Sequence, residues 1–177
     1  MGKDTQETTV LTKSSSAVVR EFSSGGVVYK NEGEKVLWLI GKSTPSKRFP
    51  ETYWRLPKGW MDDRDGGDNP GPISSGEVKA TDNDLKTGAL REVKEEVGVE
   101  AKIISKLPTS QYFTNSSRGR VMKFVTYFLM EWVRDIPEGF DFETSETAWL
   151  PYKEAIEKLH SPNEKEVLKK AEEFLTK

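Results

Sequence analysis

Three glutamates on one short stretch, Glu92, Glu95 and Glu96, are the residues of this 177-residue chain best placed to do chemistry. At ~100° per residue on a helix they fall within a sector of about 100°, and Leu90, Val93 and Val97 form the neighbouring apolar sector. A carboxylate cluster that borders a buried stripe points at the edge of a crevice. Left alone, each like-charged pair weakens a helix by roughly 0.2–0.5 kcal/mol, and acids toward the C-terminal end also oppose the helix dipole. Something cationic must offset this. Side chains can do so, since Arg91 reaches Glu95 and Lys94 spreads charge, giving an ordinary solvated face. A hard divalent cation can also do so, because it prefers oxygen ligands and retains waters, so that clustered carboxylates hold it against substrate phosphates. Spacing alone leaves both readings open.

Composition removes most other chemistries. The chain has no cysteine and a single histidine, His160, which excludes disulfide scaffolds, cysteine zinc sites and cysteine nucleophiles and disfavours His-clustered metals and Ser–His relays. Catalysis must therefore lean on carboxylates, lysines, arginines and backbone. The 27 Lys+Arg nearly cancel the 29 Asp+Glu, so there is no basic excess and no stable nucleic-acid complex is expected. The opening residues, Met1 to Gln6, carry acid early and lack an apolar run, and no stretch approaches the ~18 apolar residues of a membrane span. The expectation is a soluble cytoplasmic protein without a membrane partner, either monomer or homodimer.

Stepping outward from the glutamates, the surrounding pattern predicts the elements that carry them. Residues 1–16 are polar and without periodicity, which suggests a flexible tail, and 17–177 are expected to form one domain. Three β-rich runs follow, Ala17 to Phe22, Val27 to Lys30 and Lys35 to Ile40, the last two joined by the turn-like Asn31-Glu32-Gly33-Glu34. Gly25-Gly26 inside the pattern suggests a bulge or a close backbone approach, with the bulge preferred. Between Trp60 and Asp84 lies an acidic, Gly- and Pro-containing stretch with seven acids against two bases, read as a loop. Asp84 then looks like an N-cap, Leu85 to Val97 a helix and Gly98 its stop. Further strands are expected at Lys102 to Leu107, Gln111 to Thr114, Val121 to Val133 and Thr147 to Leu150, and helices at Tyr152 to Leu159 and Glu164 to Leu175. Strands mostly in hairpins with helices inserted and appended suit a mixed sheet packed between helices.

The string Arg91-Glu92-Val93-Lys94-Glu95-Glu96-Val97-Gly98-Val99 resembles the second half of the Nudix box, REUxEExGU with U apolar, at every specified position. Upstream, Leu56-Pro57-Lys58-Gly59, with Trp54 before it, resembles the loop that opens the same box. The resemblance covers roughly Val18 to Phe174 and implies an α/β fold, the Nudix-type α/β/α sandwich with a mixed β-sheet between helices. Two departures stand out. The family's Glu position is occupied by Asn83, and Gly59 and Asn83 are 24 positions apart where the pattern has six, so the acidic stretch at about 60–83 is an insertion within the box. Asp82, Asp84 or Glu77 could replace the missing acid.

The resemblance implies a role for each matching residue. Glu95 and Glu96 would be the principal ligands of magnesium, or manganese in its place, with the Gly59 carbonyl as a backbone ligand. Glu92 would be a ligand or a base, and Arg91 would orient the carboxylates. Lys58 would stabilise phosphate charge. A further acid is often drawn from the loop before the last strand, and Glu143 is preferred to Glu146 by its six-residue offset from Trp149. The implied reaction is hydrolysis of a phosphoanhydride in a small nucleotide substrate. The dinucleoside polyphosphate hydrolases, acting on compounds such as diadenosine tetraphosphate, are the most similar branch. In that reading Tyr112, Phe113 or Tyr127 would meet an adenine ring while Lys123 and Arg118 meet distal phosphates. The alternatives are a nucleoside triphosphate pyrophosphohydrolase, a hydrolase of another diphosphate-linked compound, and a nucleotide-binding module without catalysis.

Overall fold

The computed structural model describes residues 17–177; the tail expected at 1–16 lies outside the described residues. The chain forms β1 (Val19–Glu32), β2 (Lys35–Ser43), β3 (Trp54–Arg55), β4 (Lys58–Trp60), β5 (Asp63–Arg64) and β6 (Asn69–Pro70) before its first long helix, α1 (Asp82–Val97). Then come β7 (Val99–Lys106), β8 (Ser110–Ser116), β9 (Gly119–Asp135), β10 (Thr144–Pro151), α2 (Tyr152–Lys158) and α3 (Pro162–Leu175). One mixed sheet runs in the order β10-β2-β1-β9-β7, with β3 added to β2, β4 to β1 and β8 to β9. Its centre is the parallel pair β1 and β9, and the remaining pairs are antiparallel.

Both faces of that centre are covered, so burial is unbroken over residues 23–29 of β1 and 125–130 of β9. Val27, Tyr29, Tyr127 and Leu129 pack against α2 and α3 through Ala155, Leu159, Leu168 and Ala171. Their alternates Val28, Phe128 and Met130 pack against Ala89, Val93 and Val97 of α1. This is the expected α/β/α sandwich. Among the described residues no helix is long and apolar enough to cross a membrane.

Three local expectations are corrected. β1 runs through Gly25-Gly26 without a bulge, because these glycines make room for neighbours. A Cβ on Gly25 would stand 2.8 Å from Lys58 Cβ and 3.0 Å from Tyr127, and one on Gly26 would overlap Val93 and meet Met130 Sδ at 3.0 Å. The N-cap of α1 is Thr81. Asp84 is the third helical residue, and its carboxylate accepts from the Thr81 N–H at 2.8 Å while the Thr81 hydroxyl accepts from the Asp84 N–H at 3.1 Å, a capping box. Gly98 ends the helix in the left-handed conformation, as expected (φ 70°).

The acidic stretch after Trp60 is also more ordered than a plain loop. The Asp62 carboxylate accepts from the backbone N–H groups of Ile73 (3.0 Å) and Ser74 (2.8 Å), closing the segment on itself over the β5–β6 pair. Burial opposes charge on Asp62, but these N–H donors prevail and hold its carboxyl below the usual range. The carbonyl of Ser74, itself buried, accepts from the Phe22 N–H at 2.8 Å, anchoring the segment to β1.

Candidate active site

The glutamates of α1 face the end of the sheet where β4 passes. Glu92 and Glu96 are buried on the same helix face as Val93 and Val97, whereas Glu95 is exposed. Arg91 binds Glu92 and Glu95, both at 2.9 Å, and donates to the Trp60 carbonyl at 2.6 Å, tying the helix to β4. Glu96 receives Arg55 at 3.0 Å on one oxygen and the Lys58 N–H at 2.8 Å on the other. The cationic partners seen here are therefore arginines. Among the described residues no three acids or histidines converge on one point as a ready-made ion cage.

The residues nevertheless fit a divalent cation. A Cβ at Gly59 would come within 2.5 Å of Glu92 Oε2 and closer to Oε1, so only glycine lets this backbone approach the carboxylate. Burial raises the Glu92 carboxyl to about 7 against the pull of Arg91, with Glu95 and Glu143 adding to the rise. Burial likewise raises Glu96 to about 8 despite Arg55 and Lys58. Two buried acids that their arginines do not fully compensate, packed against the backbone at Gly59, form a hard-oxygen donor set short of positive charge.

These groups line a cleft of about 700 Å³. It is lined by nine of the sequence-expected residues: Lys58, Gly59, Arg91, Glu92, Glu95, Glu96, Tyr112, Lys123 and Glu143. Glu143 stands on the rim with Arg55 at 3.8 Å, while Glu146 pairs with Lys42 at 3.5 Å outside the cleft. The acids considered as stand-ins at Asn83 are engaged elsewhere: Glu77 with Arg64, Asp82 with Lys86 and Lys106, and Asp84 in the cap. From the insertion, Asp63 lines the cleft instead.

Two substrate-contact expectations are corrected. Tyr127 is 1% exposed on the central strand β9, within the core shared with α2 and α3, and offers no face to a ligand. Phe113 alternates with the cleft-lining Tyr112 and Thr114 along β8, so its ring turns away, 44% exposed and 3.9 Å beneath the Arg120 guanidinium.

Several functional groups escaped sequence reading. Glu164 at the start of α3 is buried; it accepts from Lys58 Nζ at 2.8 Å and from the Leu56 N–H at 3.1 Å. The segment from Leu56 to Gly59 is thus gripped by Glu96 on one side and Glu164 on the other. Burial works to lower the Lys58 pKa, but the Glu164 charge outweighs it and holds the ammonium well above its ordinary value. Glu21, buried on β1, receives both Arg118 and Lys123 (3.2 Å to the latter), so two cations share one carboxylate in a hollow that adjoins the cleft at Lys123.

The chain matches the family model of the NUDIX domain over residues 19–171. It is 28% identical over 163 residues to the "Putative mutator protein MutT4" of Mycobacterium tuberculosis (strain CDC 1551 / Oshkosh), covering 90% of this chain but 57% of that protein's length. Among solved structures, an Ap4A hydrolase binary complex from C. elegans superposes with a TM-score of 0.62 at 20% identity, over 90% of this chain and 98% of that one. The MutT protein from Methanosarcina mazei Go1 gives 0.60 at 17% identity, over 91% and 99%. The NUDIX domain of Shewanella oneidensis NrtR, complexed with ADP ribose, gives 0.57 at 16%, over 88% of each chain. The acidic helical turn set against Gly59 and the match along nearly the whole described fold agree, and the chain belongs to the Nudix family.

Proposed function

We propose that this chain is a divalent-metal-dependent hydrolase of phosphoanhydride bonds, and that its substrates are dinucleoside polyphosphates such as diadenosine tetraphosphate. The observation that carries the reading is the turn of α1 whose buried glutamates face a glycine backbone with too little compensating charge. Glu92, Glu95, Glu96 and the Gly59 carbonyl would hold magnesium or manganese. Such an ion supplies neutralisation of phosphate oxygens and acidification of a water. Arg91 keeps Glu92 and Glu95 oriented from one side, and Arg55 keeps Glu96 oriented from the other. Glu143, half-exposed on the rim, would accept a proton at its carboxylate from water entering the cleft. Lys123 and Arg118 form a cationic end for distal phosphates, since Glu21 neutralises only one of their two charges.

A second reading, a nucleoside triphosphate pyrophosphohydrolase, is supported by the likeness to the mycobacterial mutator protein. Product chromatography separates the two. Release of a nucleoside triphosphate from diadenosine tetraphosphate, dependent on magnesium, is expected. Turnover confined to ordinary triphosphates would replace the first reading by the second, and turnover indifferent to a chelator would refute both.

A further inference from the structure

Beside Glu143 the cleft opens into a smaller hollow of about 250 Å³, lined by Phe49 and Phe142 together with Tyr53 and Arg55. Phe142 is 84% exposed and Phe49 54% exposed. Exposed apolar side chains scattered singly need no explanation. These two are not scattered, because each lines both the hollow and the main cleft.

Nor are they on slack backbone. The Phe142 carbonyl accepts from Thr44 Oγ1 at 2.7 Å. On either side, the Asp141 N–H donates to the Glu95 carbonyl at 2.7 Å and the Thr44 N–H donates to the Glu143 carbonyl at 2.9 Å. Phe49 closes a turn with Ser46, its N–H donating to Ser46 Oγ at 3.0 Å and its carbonyl accepting from the Ser46 N–H at 2.9 Å. The fold thus holds out two phenyl rings at the mouth of a polar cleft while burying neither. A backbone already fixed lowers the ordering cost when a flat ligand seats on the rings it carries.

We propose that Phe49 and Phe142 form the base subsite, taking the purine or pyrimidine ring of a nucleotide whose phosphates lie toward Arg55 and the acidic turn of α1. The inference rests on the hydrolase reading and deepens it by naming a nucleobase as the recognised group. A base has flat apolar faces to stack on phenyl rings and polar edges that stay wet at an open rim. An inositol polyphosphate, charged around its whole ring, lacks such faces and gains little from phenyl walls.

The test is calorimetric titration of AMP into the wild-type protein, a Phe49→Ala/Phe142→Ala double variant and a Phe49→Trp/Phe142→Trp double variant. Loss of base stacking predicts an AMP Kd raised at least fivefold by the alanines and kept within about twofold by the tryptophans. With diadenosine tetraphosphate, the alanine variant should show a KM raised by a similar factor and kcat within about twofold. Because both rings are exposed, the melting temperature should be unmoved, which separates lost binding from lost folding. No AMP binding by the wild type, or equal affinity in the alanine variant, overturns the subsite. AMP binding that depends on the two rings in a protein without hydrolase activity would refute the hydrolase reading and leave the subsite standing; hydrolysis with unchanged KM and Kd would do the reverse.

Discussion

Replacing Glu164 by alanine removes one end of a mostly buried ion pair whose other end is the residue before Gly59. Its carboxylate holds Lys58 Nζ at 2.8 Å and the Leu56 N–H at 3.1 Å, and the side chains of the pair are only 20% and 6% exposed. Breaking a buried pair from one side typically costs about 3–5 kcal/mol, mostly because the surviving charge is stranded. Lys58 retains some access to water, which argues for the lower end, about 3 kcal/mol. In a chain of this size that corresponds to a fall in Tm of roughly 6–12 °C. Removing both charges with apolar groups of similar shape, Lys58→Met with Glu164→Leu, should restore most of the loss, to within about 1 kcal/mol of wild type. Urea denaturation of Lys58→Met, Glu164→Leu and the double variant closes a double-mutant cycle. A coupling below about 0.5 kcal/mol, or a Glu164→Ala protein melting within about 2 °C of wild type, would refute the claim that this pair fixes the Leu56–Gly59 segment.

Further outcomes follow from the same geometry. Gly59→Ala drives a Cβ into the Glu92 carboxylate, which can swing aside, so stability should change by less than about 1 kcal/mol while magnesium affinity, read by calorimetry, falls at least tenfold. Glu96→Gln should lower turnover of diadenosine tetraphosphate by orders of magnitude with the far-ultraviolet circular dichroism unchanged, because the position borders the core without filling it. Glu92 and Glu96 titrate at about 7 and about 8 in the fold against an ordinary 4.5, so the metal-free fold binds these protons more tightly than the unfolded chain. That stabilisation is complete below the unfolded value and is lost as pH rises through 7 and 8. Thermal melts in a chelator should therefore show stability dropping by about 2–4 kcal/mol from about pH 6 to pH 9, and magnesium should flatten the drop by binding the ionised form. A flat profile in the chelator would contradict it.

What could be read from sequence was what is local. The acids of α1, the Gly98 stop and the hairpin at Gly33 depend on neighbours a few positions away, and helix periodicity places Glu92 and Glu96 beside Val93 and Val97 without further information. Side-chain direction on a strand depends on register. Tyr112 and Phe113 are adjacent and chemically alike, yet only pairing with β9 decides that Tyr112 meets the cleft. Tyr127 failed for a related reason, since β9 is central and covered on both faces. The partners of Lys58 and Lys123 come from α3 and β1, about a hundred residues away, and nothing in their own neighbourhoods marks Glu164 or Glu21. Gly25-Gly26 signalled that something comes close, and only packing shows it to be Val93, Met130 and Tyr127.

The central claim is that one helical turn of glutamates and a glycine carbonyl grip a divalent cation. Electron paramagnetic resonance titration with manganese tests it directly, using wild-type protein, the single variants Glu92→Gln, Glu95→Gln and Glu96→Gln, and Glu146→Gln as a control outside the cleft. Saturable binding displaced by magnesium, weakened at least tenfold by each cleft variant and untouched by the control, is the predicted result. Equal binding in all five proteins, or none in the wild type, would contradict it.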